Sequence, residues 1–513
     1  MTYDLAPPLP KTATPADYSR IHFDPSEVPP KRIVGLLACQ RDPLLRSLTS
    51  RVHATSPASA APLAQKGREK KKNKSAAATP SETPGGSGTA TPVGKLWEVE
   101  LEDTVVFPEG GGQPWDTGRM TLTDANGTPH TFAIEGCVRR KLDAVHLVRV
   151  PDVSPIAFDT IVGQEATVEV DWDRRTDHMI THTAQHLLSA VLDARGLPTL
   201  SWGMGAHPTT EAPYVELSRG LTWAEAAEVE KECNDFIKQN RKVWIDVTVQ
   251  MDHTAVSDPE RASELERESR GIPKDYAGGV IRHCVIDEID RNACCGTQCP
   301  ELSVIGFLHV LPPSAPWTAT EPTSKVPTRL FFVAGPRAVN HLSLASRWLS
   351  QAGQAINVGR ADVVERITKI ETNRFDTAER EKALKAELAK VVGEAAAADP
   401  VAWVQRIVPA SHDYDFLSAA ASAYLAVREE GAIVLTSSPP GVSPVLLLVS
   451  SKDEARAKSL FEAVKRALAG DDKARVKGGG ARGRFMAKVD GKWGKAEIEA
   501  VAAVVKDAVG ESA

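Results

Sequence analysis

The sequence predicts an α+β multidomain protein: an N-terminal β-barrel, a central α+β domain, a helical linker and a C-terminal α/β domain. Three observations point to it. Short strand-like runs broken by Gly, Pro and Asp fill the region up to residue 170. Helical periodicity mixed with alternating runs then extends to about 312, and strands and helices follow one another beyond 400. A chain of 513 residues has room for about three domains of ordinary size.

Residues 1–31 are Pro-rich and polar, and are expected to form a disordered extension. The barrel is expected over 32–170, with strands at Ile33 to Leu37, Ser47 to His53, Leu96 to Leu101, Val105 to Phe107, Met120 to Leu122, His130 to Ile134, Val145 to Val150 and Glu165 to Val170. It is interrupted at 54–93 by an insertion of Ala, Ser, Pro, Lys and Gly that includes Lys70, Lys71 and Lys72, read as a solvated disordered loop. Three consecutive glycines, Gly110 to Gly112, let the backbone approach another surface closely.

The central domain, 171–312, opens with a helix over Asp171 to Arg195. Strands follow at Thr199 to Met204 and Tyr214 to Ser218. An amphipathic helix at Trp223 to Asn240 carries Ala226, Val229, Cys233 and Ile237 on one face. Further strand pieces lie at Val243 to Gln250, Val280 to Ile289 and Ser303 to Val310. A strand and two helices make up the 313–400 linker; its second helix, Val363 to Val392, has a polar middle at Arg374, Thr377 and Glu381 that interrupts a coiled-coil pattern. The last domain, 401–513, has strands at Ile433 to Thr436 and Pro444 to Ser450, a helix from Asp453 to Leu468, a Gly-rich loop and a closing helix from Lys495.

With 42% hydrophobic and 25% charged residues the chain is globular, and no apolar run is long enough to cross a membrane. The first residues lack the pattern of a signal or transit peptide, which predicts a cytoplasmic protein. Seven cysteines in so long a chain do not form a disulfide framework; three of them fall within six residues, which favours metal binding in a reducing compartment. The net charge of −6 neither suggests nor excludes a nucleic-acid partner, because a local basic surface suffices to hold phosphates.

The most specific signal is a pair of motifs. His182 and His186 sit four apart on the first central helix, so their rings project from one face, one turn apart. More than a hundred residues on, Cys294, Cys295 and Cys299 offer thiolates that could complete a tetrahedral zinc site. His182, His186 and Cys294 supply three ligands, and Gln298, Cys299, Cys295 or water remains for the fourth place. His178 lies too far along the axis to join the same ion and is read as supporting the site or contacting RNA. A structural zinc knot on the three cysteines is the rival metal reading.

These residues resemble a family. His182 to Leu188 paired with Cys294 to Thr297 is similar to the editing domain of alanyl-tRNA synthetase and its free-standing AlaX relatives. Phe107 to Pro114, with Asp116 and Gly118, resembles the glycine-rich signature of the longer AlaX forms. Cys39 to Asp42 and the doublet Arg174-Arg175 resemble the eukaryotic cytosolic members, and Lys477 to Phe485 resembles the Gly-rich stretch of their C-terminal domain. One departure stands out: Gln298 occupies the place where the family has a fourth zinc-binding His.

The resemblance implies an ATP-independent, trans-acting deacylase with one zinc ion per chain, which hydrolyses serine, and also glycine, wrongly esterified to alanine-specific tRNA. An alanine pocket rejects an analogue with one extra hydroxyl only about a hundredfold, so a second hydrolytic site is needed. His182, His186, Cys294 and Gln298 become the expected metal set. Gln185 and Thr297 are expected to hold the terminal ribose or the reaction water, and Ser201, with Thr199, to read the serine hydroxyl. Gly111, Gly112, Gln113, Arg175, Lys477, Arg482 and Arg484 are expected to contact tRNA. The alternative implied by Gln298 is a tRNA-binding relative without catalysis.

Overall fold

The computed structural model describes residues 9–24, 32–58, 94–209, 211–250, 272–273, 275–313, 325–470, 472 and 474–510. It divides into two units, Met1–Arg347 and Trp348–Ala513. In the first, a strand β1 (Ser19–Ile21) and a one-turn helix α1 (Ala38–Arg41) precede six barrel strands. These are β2 (Ser47–Pro57), β3 (Lys95–Leu101), β4 (Gly118–Thr123), β5 (Pro129–Arg140), β6 (Asp143–Val150) and β7 (Glu165–Val170), closed in the order β2-β3-β6-β5-β4-β7. Closure pairs every strand on both sides and leaves no edge. Inward side chains such as Val99, Met120, Leu122, Ile134, Val148 and Val168 are buried in one core.

Two expected strands are loops, for a shared reason. At Ile33 to Leu37 the backbone N–H groups of Gly35 and Leu37 donate to the Gln40 side-chain oxygen (2.6 and 3.4 Å). At Val105 to Phe107 the N–H of Val106 donates to Thr104 Oγ1 and that of Phe107 to Asp116 Oδ2. Side chains satisfy donors that a ladder would otherwise take. The expected disordered extension is also corrected where it is described. β1 pairs in parallel with a central strand through Ser19↔Ile245, and Tyr18, Ile21 and Phe23 are buried. The expected insertion begins later than 54, since β2 runs through Pro57; residues 59–93 lie outside the described residues.

The helix α2 (Trp172–Asp193) follows the barrel directly, and Asp171 caps it by accepting from the N–H of Arg174. After it come β8 (Ser201–Gly203), β9 (Tyr214–Leu217), α3 (Trp223–Gln239), β10 (Val243–Val249), β11 (Val280–Ile286), β12 (Asp290–Ala293), β13 (Leu308–Val310) and β14 (Thr328–Ala334). They form two four-stranded sheets, β1-β10-β11-β12 and β13-β14-β9-β8. α3 opens on a capping box in which Thr222 and Glu225 satisfy each other's backbone N–H groups. α2 is buried along nearly its whole length among Val215, Val229, Ile245 and Phe332, so its polar side chains must find partners inside the protein.

A helix α4 (Gly335–Ala355) carries the chain into the second unit. There α5 (Val363–Ala396), β15 (Val401–Arg406), α6 (Tyr414–Val427), β16 (Ala432–Ser437), β17 (Val445–Ser451), α7 (Glu454–Ala469), β18 (Val476–Ala481), β19 (Arg484–Val489) and α8 (Lys495–Gly510) follow. The sheet runs β15-β16-β17-β19-β18. Ile433, Leu435 and Leu448 pack against Leu417, Ala420 and Tyr424 of α6 on one face, and Val434, Leu447 and Val449 against Leu460, Phe461 and Val501 on the other. A sheet covered on both faces explains the unbroken apolar runs of β16 and β17. The expected Gly-rich loop is a β-hairpin: Ala481 pairs with Arg484 across a two-residue turn at Arg482 and Gly483, whose φ values of 53° and 73° suit a twisted hairpin.

One buried histidine makes the barrel acid-sensitive. His146 is fully enclosed; its Nδ1–H donates to the Val99 carbonyl (2.9 Å), and its Nε2 accepts from the Thr104 hydroxyl (2.8 Å). Burial, opposed by the Val99 carbonyl, lowers its pKa to about 4. The unfolded chain therefore binds a proton at higher pH than the fold does. The contribution is fully present above about pH 6.5 and is lost as pH falls toward 4, for a total of about 3 kcal/mol. Urea titrations at pH 7 and 4.5 should show the midpoint falling, and His146→Gln should flatten that dependence; parallel slopes would remove His146 as the cause.

Candidate metal centre

The last polar turns of α2 meet a loop delivered by the β11–β12 hairpin. The N–H of Cys294 donates to the Arg282 carbonyl (2.8 Å), and this extends the hairpin ladder by one residue and turns the thiol toward α2. Cys294 Sγ lies 3.5 Å from His182 Nε2. An ion bound to nitrogen at about 2.0 Å and sulfur at about 2.3 Å in tetrahedral geometry sets that separation at roughly 3.5 Å. The rings of His182 and His186 stack with centroids 5.2 Å apart, and one ligand atom each from His182, His186 and Cys294 lies within 4.8 Å of the others.

The state of His182 is set from the barrel. Gln113 Oε1 accepts both from His182 Nδ1–H (2.8 Å) and from the backbone N–H of Thr297 (3.1 Å), while Gln113 Nε2 donates to Thr297 Oγ1 (2.9 Å). Because the Thr297 N–H can only donate, the oxygen must face it, and His182 must carry its proton on Nδ1. In the neutral ring the lone pair is then on Nε2, the nitrogen that points at Cys294. His186 turns Nδ1 toward Asp290 Oδ2 at 3.6 Å. Burial alone would lower the His186 pKa, but the Cys294 sulfur and the Asp290 carboxylate outweigh it and raise it to about 10. Burial likewise pushes the Cys294 thiol up, and the two imidazoles reverse this and hold it well below the usual thiol range. One sulfur with thiolate character and two buried imidazoles form a donor set that fits zinc.

The other cysteines differ. Burial, reinforced at Cys295 by the neighbouring Cys294, pushes the thiols of Cys295 and Cys299 up to about 12. Cys295 Sγ instead packs beneath the glycines: a Cβ on Gly111 would lie 2.6 Å from it. A Cβ on Gly112 would meet the Trp202 ring at 2.7 Å, and one on Gly296 would strike His182 and Gln113. The glycines of both motifs are thus demanded by close packing of one loop on the other. Tyr18 donates to the Gln298 carbonyl, and Gln40 and Arg282 donate to the Cys295 carbonyl, so the loop backbone is held from three further directions.

Gln298 does not present its oxygen to the site. Its Nε2 lies 3.1 Å from Cys294 Sγ, and its Oε1 accepts from the Thr183 hydroxyl at 2.8 Å. Thr183 in turn accepts the N–H of Cys299 at 2.9 Å. The Gln298 amide, expected as the fourth ligand, thus stands beside the sulfur, with its Nε2 the nearer end; the Thr183 hydroxyl also lies 2.9 Å from the Met179 carbonyl.

Several other expectations change with the geometry. Ser201 is exposed and donates to Glu216 (2.5 Å), because side chains alternate along β8 and it is Trp202 that faces inward, its ring 4.8 Å from His182. Arg175, expected at tRNA, is fully buried and paired with Asp116. Gln113 is buried and offers no free surface to a nucleic acid, whereas Gly111 and Gly112 are exposed on the side away from Cys295 and Trp202. His178 is likewise enclosed; its Nε2 accepts from the His207 N–H at 3.0 Å, which rules out an RNA contact. Gln185 donates to Ser189 Oγ (2.8 Å), which bonds Thr199 Oγ1 (2.8 Å), making a polar chain that leads from the metal helix to β8. Lys477 and Arg482 are exposed on the β18–β19 hairpin and Arg484 is half-buried beside Ser422. Sequence reasoning missed Trp202, Asp290 and the tautomer-setting role of Gln113; only Gln113 carried a signal, through its place in the glycine motif.

No protein-family model matches the chain. It is 29% identical over 421 residues to the alanyl-tRNA editing protein Aarsd1 of Rattus norvegicus, covering 81% of this chain and 90% of that protein. It is 31% identical over 288 residues to the putative alanyl-tRNA editing protein alaX of Saccharomyces cerevisiae, covering 53% of this chain and 58% of the relative. An alanine–tRNA ligase of Thermococcus kodakarensis matches at 29% over 303 residues, 57% of this chain but only 29% of the ligase.

Proposed function

From a chain that belongs to the alanyl-tRNA editing protein family, we infer a zinc-dependent hydrolase that acts in trans on mischarged tRNA(Ala), releasing serine and also glycine. The observation that carries this reading is the convergence of His182, His186 and Cys294, with the His182 tautomer fixed by Gln113. Those three residues would hold the ion, and Gln298 would steady the sulfur through its N–H. Bound zinc supplies Lewis-acid polarisation to the ester carbonyl or to the attacking water.

Hydrolysis forms a bond from water oxygen to the carbonyl carbon and breaks the bond from that carbon to the ribose oxygen, which takes up a proton. The protein's part is to position the ester and limit access of bulk water. The glycine loop packs against Cys295 and Trp202 and closes one side of the centre. Trp202, half-buried on β8, offers a ring face on which the terminal adenine can stack. The Gln185–Ser189–Thr199 chain provides hydroxyls that can pair with the serine side chain, which alanine lacks. Lys477 and Arg482 on the exposed hairpin are suited to tRNA phosphates. Seven free cysteines accord with work in a reducing compartment such as the cytoplasm.

The test is a single preparation assayed for zinc and for release of serine from seryl-tRNA(Ala), with alanyl-tRNA(Ala) as control. One zinc per chain and selective serine release are expected; a zinc-loaded protein that releases neither amino acid overturns the reading. In the same assay Gln113→Leu should lower kcat and zinc affinity by roughly 10–100-fold, as loss of a ligand-orienting partner does. Trp202→Ala should chiefly raise KM, by about tenfold for one lost stacking contact. Equal effects on both constants from both variants would contradict the separate roles given to them.

A further inference from the structure

The sheet β13-β14-β9-β8 shows two different faces. Alternation along its strands turns Val215, Leu217, Leu330 and Phe332 into the core and leaves Tyr214, Glu216, Arg329 and Phe331 on the other side. Pairing sets Tyr214 opposite Phe331, their rings 6.0 Å apart and edge to face, and Phe331 stays 39% exposed. The Arg329 guanidinium lies over the Tyr214 ring, 4.2 Å from its centroid. Gly203, paired with Tyr214 from β8, leaves room for that ring, since a Cβ there would come within 2.9 Å of it. Single rings and a guanidinium set between polar and bare backbone do not make the contiguous apolar patch that a protein partner buries; they make flat π surfaces of the kind on which unpaired bases stack. The face also leads to the metal centre. β8 is the edge strand, and Trp202, next to Gly203, points the other way, with its ring 4.8 Å from His182. From Tyr214 on β9 to that edge is one strand spacing, about 4.8 Å.

We propose that this outer face is a stacking platform for the unpaired 3′ nucleotides of the substrate RNA, those just before the terminal adenosine. The identity of that RNA rests on the deacylase reading above. Phe331 and the Arg329 guanidinium each receive a base, and Tyr214 backs the guanidinium from behind. The strand then crosses β8 at Gly203, and its last adenine reaches Trp202 on the metal side. Glu216 stands across from Arg329 and accepts the Ser201 hydroxyl (2.5 Å). At these paired positions a cation faces an anion, so stacking supplies the affinity and phosphate attraction adds little. Such a platform does not read sequence, because every base has a π face.

Fluorescence anisotropy of the full chain with two labelled RNA hairpins tests this, one blunt and one ending in an unpaired 3′ CCA. Neither carries an amino acid, so the readout needs no hydrolysis. The overhang is expected to tighten binding about tenfold or more, since one stacked base is worth a factor of that order. The gain should persist in salt, with a log–log slope no steeper than about 0.7, the share of one cation on a single strand. Phe331→Leu keeps the strand apolar and Arg329→Lys keeps the charge, yet each should cut the gain about tenfold and leave affinity for the blunt hairpin alone. Circular dichroism and the chain's zinc content control for folding. Equal affinity for the two hairpins overturns the proposal, and so does a gain that neither variant reduces. A gain that Arg329→Lys retains in full and that salt abolishes would be phosphate attraction, and also overturns it. An overhang gain in a zinc-loaded protein that releases no serine upholds the platform and fails the deacylase reading alone.

Discussion

Cys294→Ala is expected to strip zinc from the protein and to reduce release of serine from tRNA(Ala) on the order of 10³-fold or more, given that changes one shell further out already cost roughly 10–100-fold. The sulfur is irreplaceable on three grounds. It alone among the seven thiols is held well below the usual range, its position 3.5 Å from His182 Nε2 suits a shared ion, and the Gln298 N–H is aimed at it. Cys295→Ala and Cys299→Ala supply the contrast. Burial is the largest influence on both thiols and keeps them protonated, so their loss should leave zinc at one per chain. Metal analysis after gel filtration decides the matter. Zinc retained in Cys294→Ala, or lost in Cys299→Ala but not in Cys294→Ala, would point to the three-cysteine knot instead.

Asp116→Ala should produce the largest loss of stability from a single substitution, about 3–5 kcal/mol by chemical denaturation. Both members of its pair with Arg175 are wholly inaccessible. The carboxylate also accepts the N–H of Phe107 (2.9 Å), and the guanidinium reaches the carbonyls of Val105 (2.5 Å) and Pro43 (3.3 Å). Removing the acid strands a cation in a closed site where the backbone carbonyls cannot neutralise it. Replacing both residues by apolar ones, Asp116→Leu with Arg175→Met, should recover much of the loss, because the cost lies in the unpaired charge more than in the pair. A single-variant loss below about 1 kcal/mol would mean that water reaches Arg175 after all.

What the sequence made legible follows from the range of the forces involved. The α2 helix, the spacing of His182 and His186 and the strands β3, β4, β6 and β7 depend on local periodicity, and they are found within a few residues of their expected ends. The convergence of Cys294 on that helix came through pairing two distant motifs. The errors arose where a polar side chain replaced a backbone partner, as Gln40 does beneath Gly35 and Asp116 does beneath Phe107, because such substitutions leave apolar strand-like runs unchanged. Reading Arg175 as a tRNA contact failed for a related reason: a cation next to a functional helix looks the same in sequence whether it faces solvent or a buried acid. Ser201 and Trp202 were exchanged by the two-residue period of a strand whose inward face cannot be told from three residues. The strand β15 and helix α6 escaped notice because Ala-rich helices and short edge strands carry weak periodicity.

The oxygen of Gln113 comes from the barrel, whereas the imidazole it reads belongs to the helix beyond it. A shortened chain starting at Asp171 would keep all three ligands in its sequence and yet hold His182 as a mixture of two proton positions, one of them blocking the nitrogen that has to bind. The barrel therefore acts as the custodian of a single hydrogen atom.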